Sequence, residues 1–178
     1  GHLLSLRIPF RCEYEIITQS GERKWVLETG QGVYNKDGDV EALEGIIIDI
    51  SDTKQKQIQL QYINDHDALT DVYNRVYYEK VKVQMEDESN LPLSIVVIDI
   101  NGLRLINDAF GHAVGDAKKK KTAKIVQSCC GERDVLARTG GDEFRIFFPN
   151  TDFNKADALR HAIIDACTEY NSTLTDKS

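Results

Sequence analysis

The sequence is short of everything that a polyanion-binding or membrane-spanning chain needs. Its 178 residues hold 22 Lys or Arg against 29 Asp or Glu, a formal charge of −7. No basic face follows from that balance, which argues against nucleic acid as a partner. A nucleotide remains allowed, because nucleotides are bound through local groups and metals. No apolar run reaches the length of a membrane span. The opening GHLLSL is too short for a signal peptide and lacks a cleavage pattern. Cysteine is scarce as well. Cys12, Cys129, Cys130 and Cys167 form no CxxC pair with a metal-like partner, and the adjacent Cys129 and Cys130 cannot easily bridge. Four free, partly buried thiols in a reducing compartment are expected.

What is present suits a globular chain. The apolar fraction of 41% is ordinary, and the length fits one domain or two small ones. Residues 8 to 50 read as strands and turns. FRCEYEII alternates, KWVLETGQGVYN and VEALEGIIIDI follow, and QSGE and KDGD are tight turns between them. Three antiparallel strands make a meander that can bury one face only against something else. From Ser51 the chain turns polar, without Gly or Pro, and a helix capped by Ser51 or Asp52 is expected. Its thin apolar stripe of Ile58, Leu60, Tyr62 and Ile63 suits a connector, a two-stranded coiled coil or a solvated linker.

The remaining segment predicts helix, strand, helix, helix, hairpin and helix, an α+β sandwich with helices on one face of a sheet. Tyr73, Val76, Tyr77 and Val81 form the stripe of its first helix. LSIVVIDI, residues 93 to 100, is continuously apolar and β-branched, which predicts a strand covered on both faces. A helix to about Ala109, a Gly-bounded turn and a helix from about Asp116 to Ser128 follow. ARTGGDEFRIFFP reads as a hairpin around a Gly-Gly turn, and the last helix is expected to start at an Asn154 cap.

Two groups of residues point to chemistry. Asp99 ends the apolar strand and Asp142 sits at the hairpin apex. If those strands are neighbours, the carboxylates converge, and clustered carboxylates repel unless a cation joins them. Mg²⁺ answers that need and usually shares its shell with phosphates. Gly140 and Gly141 would let a bulky ligand approach the backbone. A plain solvated turn is the other reading. In NDAFGHAVGD, Asn107 and Asp116 have the donors and acceptors to read a purine edge, and both also suit helix ends. His112 reads as a turn residue.

DALTDVYNR, IDINGLRLINDAFGHAVGD and ARTGGDEF, in that order, resemble the GGDEF domain of diguanylate cyclases. EYEIITQSGERKWVLETGQGVYNKDGDVEALEGIIIDISD resembles the C-terminal half of a PAS sensor domain. The resemblance implies a PAS part over residues 1–51, a connector helix over 52–64 and a GGDEF domain over 65–178. The implied fold is ferredoxin-like, akin to nucleotidyl cyclases and polymerase palms. The implied reaction condenses two GTP into cyclic di-GMP and two pyrophosphates in a bacterial cytoplasm, with two Mg²⁺ or Mn²⁺ per active site. By motif position, Asp99, Asp142 and the Ile100 carbonyl would hold metal, and Glu143 would serve the second metal or the attacking hydroxyl. Asn107 and Asp116 would read guanine, Gly140 and Gly141 would line the nucleotide, and Arg104 would stand for a phosphate-contacting Lys. Catalysis would need two such domains face to face, as in a homodimer. The alternative is a weak or inactive module that binds GTP and regulates an attached domain.

The chain also departs from the family. The inhibitory RxxD window reads GERD, with Gly131 in place of Arg while Asp134 remains, so strong product inhibition there is not expected. Lys118 and Lys119 stand on a stripe that periodicity buries with Ile125 and Val126, where the family has aliphatics. Asp71 replaces a usual glycine and Asn101 an aspartate, both with small expected effect. The resemblance places a further strand and a phosphate-holding helix beyond Ser178, so the chain reads as an incomplete GGDEF domain.

Overall fold

A computed structural model describes residues 8–175. The chain divides into two compact units, with the division between Gln61 and Tyr62. The first holds β1 (Phe10–Ile17), β2 (Arg23–Tyr34) and β3 (Val40–Asp49) in an antiparallel meander in that order. Cys12 faces Glu28 in the ladder and Leu27 faces Ile48. The helix α1 (Ser51–Asp65) follows. Its cap differs from the expected one. Asp49 Oδ1 accepts from the Ser51 N–H at 3.0 Å, while the Ser51 hydroxyl accepts from Trp25 N at 3.0 Å. Lys54 reaches Glu13 at 2.6 Å and lies over the Trp25 ring. Within this unit Val26 is buried, whereas Leu43, Ile46, Ile47 and Ile48 on β3 are exposed.

The second unit is built on β4 (Tyr73–Asn74), β5 (Ser94–Asp99), β6 (Val135–Arg138) and β7 (Glu143–Phe148), in the order β4-β6-β7-β5. β4 runs parallel to β6, and the other two pairings are antiparallel. Its helices are α2 (Arg75–Met85), α3 (Leu103–Phe110), α4 (His112–Ser128) and α5 (Phe153–Thr175). The period of two on β7 splits its side chains between two cores. Phe144, Ile146 and Phe148 pack with Leu103, Ala123, Val126 and Ile163 from α3, α4 and α5. Phe147 packs with Tyr78 and Val81 of α2, its ring stacked on Tyr78 with centroids 4.5 Å apart. Helices therefore cover both faces, not one. Each fully buried aromatic contributes about 2–3 kcal/mol.

Several local expectations change for identifiable reasons. Tyr73 belongs to β4, and α2 starts only after Asn74, whose side chain accepts from Tyr77 N. That start shifts the buried stripe to Tyr78 and Val81 and leaves Val76 exposed. β5 is covered on one face only: Val96 and Ile98 join the core, while Ile95 and Val97 are exposed among the described residues. α4 begins at His112 rather than Asp116, because Gly111 at φ +85° makes the whole turn between α3 and α4 by itself. Asp152, not Asn154, caps α5, its carboxylate accepting from Lys155 N at 2.9 Å. Of the four free thiols, Cys12 is exposed, and burial pushes Cys130 up to about 12. Asp71 adopts φ +65°, the conformation a glycine takes without strain, and its carboxylate accepts from the Tyr62 hydroxyl at 2.8 Å.

One ion pair joins the start of this unit to the hairpin. Arg138 Nη1 lies 3.0 and 3.1 Å from the two Asp67 oxygens, and its Nη2 donates to Gly141 O at 2.8 Å. Thr70 donates to Asp67 Oδ1 from both its hydroxyl and its N–H. Burial pushes the Asp67 carboxyl up, but the Thr70 and Arg138 donors outweigh it and hold the carboxyl below its ordinary value. A depressed carboxyl stabilises the fold above its unfolded pKa of about 4 and loses that contribution as pH falls through the folded value. Asp67→Asn is therefore expected to cost the full chain about 2 kcal/mol at neutral pH and to flatten the loss of stability below about pH 4. Urea unfolding across pH reads both effects, and an unchanged midpoint would contradict the role given to the pair.

Candidate active site

The hairpin turn and the end of β5 meet through their backbones. β5 pairs with β7 so that Asp99 faces Glu143, and the Ile100 N–H donates to Asp142 O at 3.2 Å. Asp99, Asp142 and Glu143 thus share one sheet edge. With Arg75, Glu79, Thr139, Gly140 and Arg145 they line a cleft of about 340 Å³. Asp142 and Ile100 are backbone partners, while the direct cross-strand neighbour of Asp99 is Glu143. Gly140 is closely packed, since a Cβ there would come within 3.3 Å of Glu143 Cβ. Gly141 faces open space.

Glu143 is the most constrained of these acids. Its Oε1 accepts from the Thr139 hydroxyl at 2.5 Å and from Arg145 Nε at 2.8 Å. The Thr139 bond first, and then Arg145, hold its carboxyl below the usual range. Arg145 is braced in turn against the Tyr78 ring, 5.7 Å from its centroid. Sequence reasoning passed over Arg145, Arg75, Glu79 and Thr139. Arg145 was within reach, because residues i and i+2 of a strand share a face. Arg75 and Glu79 share a helix face at i and i+4, but their approach to the hairpin depends on how α2 packs.

The chemistry of the edge suits a hard divalent cation. Asp99 and Asp142 offer carboxylates and Ile100 a carbonyl, all oxygen donors. Among the described residues no group of three or more Asp, Glu, His or Cys is arranged to hold a metal by itself. Two carboxylates completed by substrate phosphates is the usual Mg²⁺ arrangement, so the residues fit.

The other candidates lie apart from that edge. Asn107 on α3 and Asp116 on α4 are brought close together, since Gly115, the neighbour of Asp116, lies against Asn107 Oδ1. That oxygen is buried and has no hydrogen-bond partner among the described residues. Asp116 Oδ1 is taken by Lys119 Nζ at 2.9 Å. The expected stripe of Lys118 and Lys119 splits. Lys118 is exposed, and Lys119 is mostly buried but reaches back one turn to the carboxylate. Arg104 is not among the cleft residues. Its side chain is 95% exposed and stands 4.0 Å from Asp108. At the GERD window, Asp134 Oδ2 accepts from the Gly131 N–H at 2.7 Å, which closes the turn on itself.

The contact at Gly115 makes a test. Alanine there would add about 1 kcal/mol of helix propensity, yet its methyl would collide with Asn107 Oδ1. Gly115→Ala is expected to lower the thermal midpoint, and a raised midpoint would show that the Asn107 amide has room to move.

Comparisons with known proteins bear on the family and the fold. The family model described as diguanylate cyclase, GGDEF domain, matches residues 64–178. A probable diguanylate cyclase of Escherichia coli, DgcE, is 34% identical over 129 residues, covering 71% of this chain and 12% of DgcE. A diguanylate cyclase of Vibrio cholerae is 34% identical over 136 residues, covering 75% of this chain and 42% of its own. The chain thus spans less than half the length of these relatives. The coiled coil and GGDEF domain of DgcB from Caulobacter crescentus, solved with c-di-GMP, shares the fold at TM-score 0.61 and 21% identity, covering 64% of this chain and 61% of that one. The GGDEF domain of TpbB from Pseudomonas aeruginosa aligns at TM-score 0.53 and 31% identity, covering 57% and 61%. With the family model covering residues 64–178, well over half of its length, the chain belongs to the GGDEF family of diguanylate cyclase domains.

Proposed function

We propose that the protein containing this chain condenses two GTP into cyclic di-GMP and two pyrophosphates. The observation that carries the proposal is the pairing of β5 with β7, which sets Asp99 and Asp142 on one edge beside the Ile100 backbone. Asp99, Asp142 and the Ile100 carbonyl would hold Mg²⁺ or Mn²⁺, two per active site. When bound, such ions polarise the α-phosphate and favour the ionised 3′-hydroxyl. The chain's own residues then have distinct tasks. Gly141 leaves the backbone open to the phosphates. Glu143 offers Oε2 to the second metal or the hydroxyl, because Thr139 and Arg145 occupy Oε1. Asn107 and Asp116 read guanine. Each domain holds one GTP, so turnover needs two domains facing each other, and the half-PAS unit with its connector helix governs that pairing.

A second reading has one observation in its favour. Cyclic di-GMP phosphodiesterase PdeB of Shewanella oneidensis carries a matching segment, 33% identical over 103 residues. In this reading the domain binds GTP and regulates an attached domain without making product.

One assay separates the two readings. The full-length protein is incubated with GTP and Mg²⁺, and cyclic di-GMP is followed by chromatography. Product is expected, with a drop of at least about a hundredfold in Asp142→Ala. Product is also expected to accumulate without strong inhibition, because Asp134 is turned onto Gly131. GTP binding without product would favour the regulatory reading, and full activity in Asp142→Ala would remove the metal role.

A further inference from the structure

The lysine run on α4 is the feature the proposed activity leaves unused. Three of its members need no special account: Lys118 and Lys120 are exposed, and Lys121 lies over the Tyr170 ring. Lys119 is different. Its side chain is only 13% exposed, on a helix face where an aliphatic would pack without cost. Its ammonium is directed at Asp116 Oδ1, 2.9 Å away. Among the described residues Asp116 Oδ2 takes part in no such bond. Next to this pair, across Gly115, lies the buried and unpartnered Asn107 Oδ1. An acceptor without a donor, a carboxylate oxygen left over and an ammonium with two protons to spare thus lie together among the described residues.

We infer that Lys119 is a base-reading residue that donates to the 6-oxo group of guanine, beside Asp116 and Asn107. The inference rests on the guanine-reading role given to those two residues and extends it. Guanine presents two adjacent donors, N1–H and N2–H₂, and then the O6 acceptor along one edge. The Asp116 carboxylate can accept from the donors. The ammonium beside it falls next in line and supplies a charged donor for O6, the pairing that lysine makes with guanine elsewhere. Adenine would set its 6-amino group against the ammonium and leave both charges poorly matched, so the pair would reject it. The titratable groups that act on Asp116 are Lys119, Arg138 and His112, so Lys119 is not its one basic neighbour. It alone bonds the carboxylate directly.

The test is equilibrium binding to the full chain with Ca²⁺ in place of Mg²⁺, using GTP and 6-thio-GTP. The thio analogue keeps N1–H and N2–H₂ and exchanges only O6 for a poor acceptor. The wild-type chain is expected to bind GTP roughly tenfold more tightly than 6-thio-GTP. Lys119→Met, which places an aliphatic on the apolar stripe and preserves the fold, is expected to weaken GTP roughly tenfold and to abolish the preference. Lys120→Met is the control and should change neither affinity. If Lys119→Met binds GTP as tightly as wild type, or more tightly, Lys119 only covers the carboxylate and the inference is wrong. Asp116→Ala separates the two levels. Should it leave GTP affinity unchanged, guanine is not read here at all, and the underlying role fails together with the inference.

Discussion

The second unit is organised around Arg138. One guanidinium grips both oxygens of Asp67, in the loop that precedes β4, and also the Gly141 carbonyl at the hairpin turn. A planar fork of donors suits this task as a lysine could not, because it can satisfy a carboxylate and a carbonyl at fixed angles. The rest of the Gly-Gly turn is held by the Glu143 carbonyl, which takes up the N–H groups of Thr139 and Gly140, and by the Ile100 N–H, which donates to Asp142 O. The place of Asp142 follows from the turn, and the cleft at the sheet edge follows from Asp142.

The edge itself shows how charge is managed in a small cleft. Four acids, Glu79, Asp99, Asp142 and Glu143, meet two arginines, Arg75 and Arg145. Arg145 is committed to Glu143 and braced by Tyr78, which is itself stacked on Phe147 in the core. The packing beneath the sheet thus fixes the orientation of an acid at its edge. Glu79, Asp99 and Asp142 have no such side-chain partner among the described residues, and of these Asp99 and Asp142 stand at the strand end and the turn that meet through the Ile100 N–H.

Much of this was legible in the sequence because it depends on short-range rules. The meander, the existence of β5, the hairpin and the shared sheet edge of Asp99 and Asp142 follow from alternation, turn residues and the place where an apolar run stops. What was not legible depends on packing. IVVID reads as buried on both faces because composition reports burial but not which face a helix covers, and Ile95 and Val97 are exposed. The start of α2 moved because Tyr73 and Asn74 pair with β6, a contact more than sixty residues distant in sequence. Lys119 conflicted with the hydrophobic period because periodicity places a Cβ and says nothing of where a long side chain ends. Arg104 was given a phosphate by motif position, and it is exposed beside Asp108.

The central claim is that the hairpin tip and the end of β5 form one cation-binding edge. Paramagnetic broadening of backbone amide resonances by substoichiometric Mn²⁺ in the full chain tests it most directly. The account predicts that the amides of Asp99, Ile100 and residues 140–143 broaden first, while residues 131–134 keep their intensity. Broadening that begins elsewhere, or that spares Ile100 and Asp142, would contradict it.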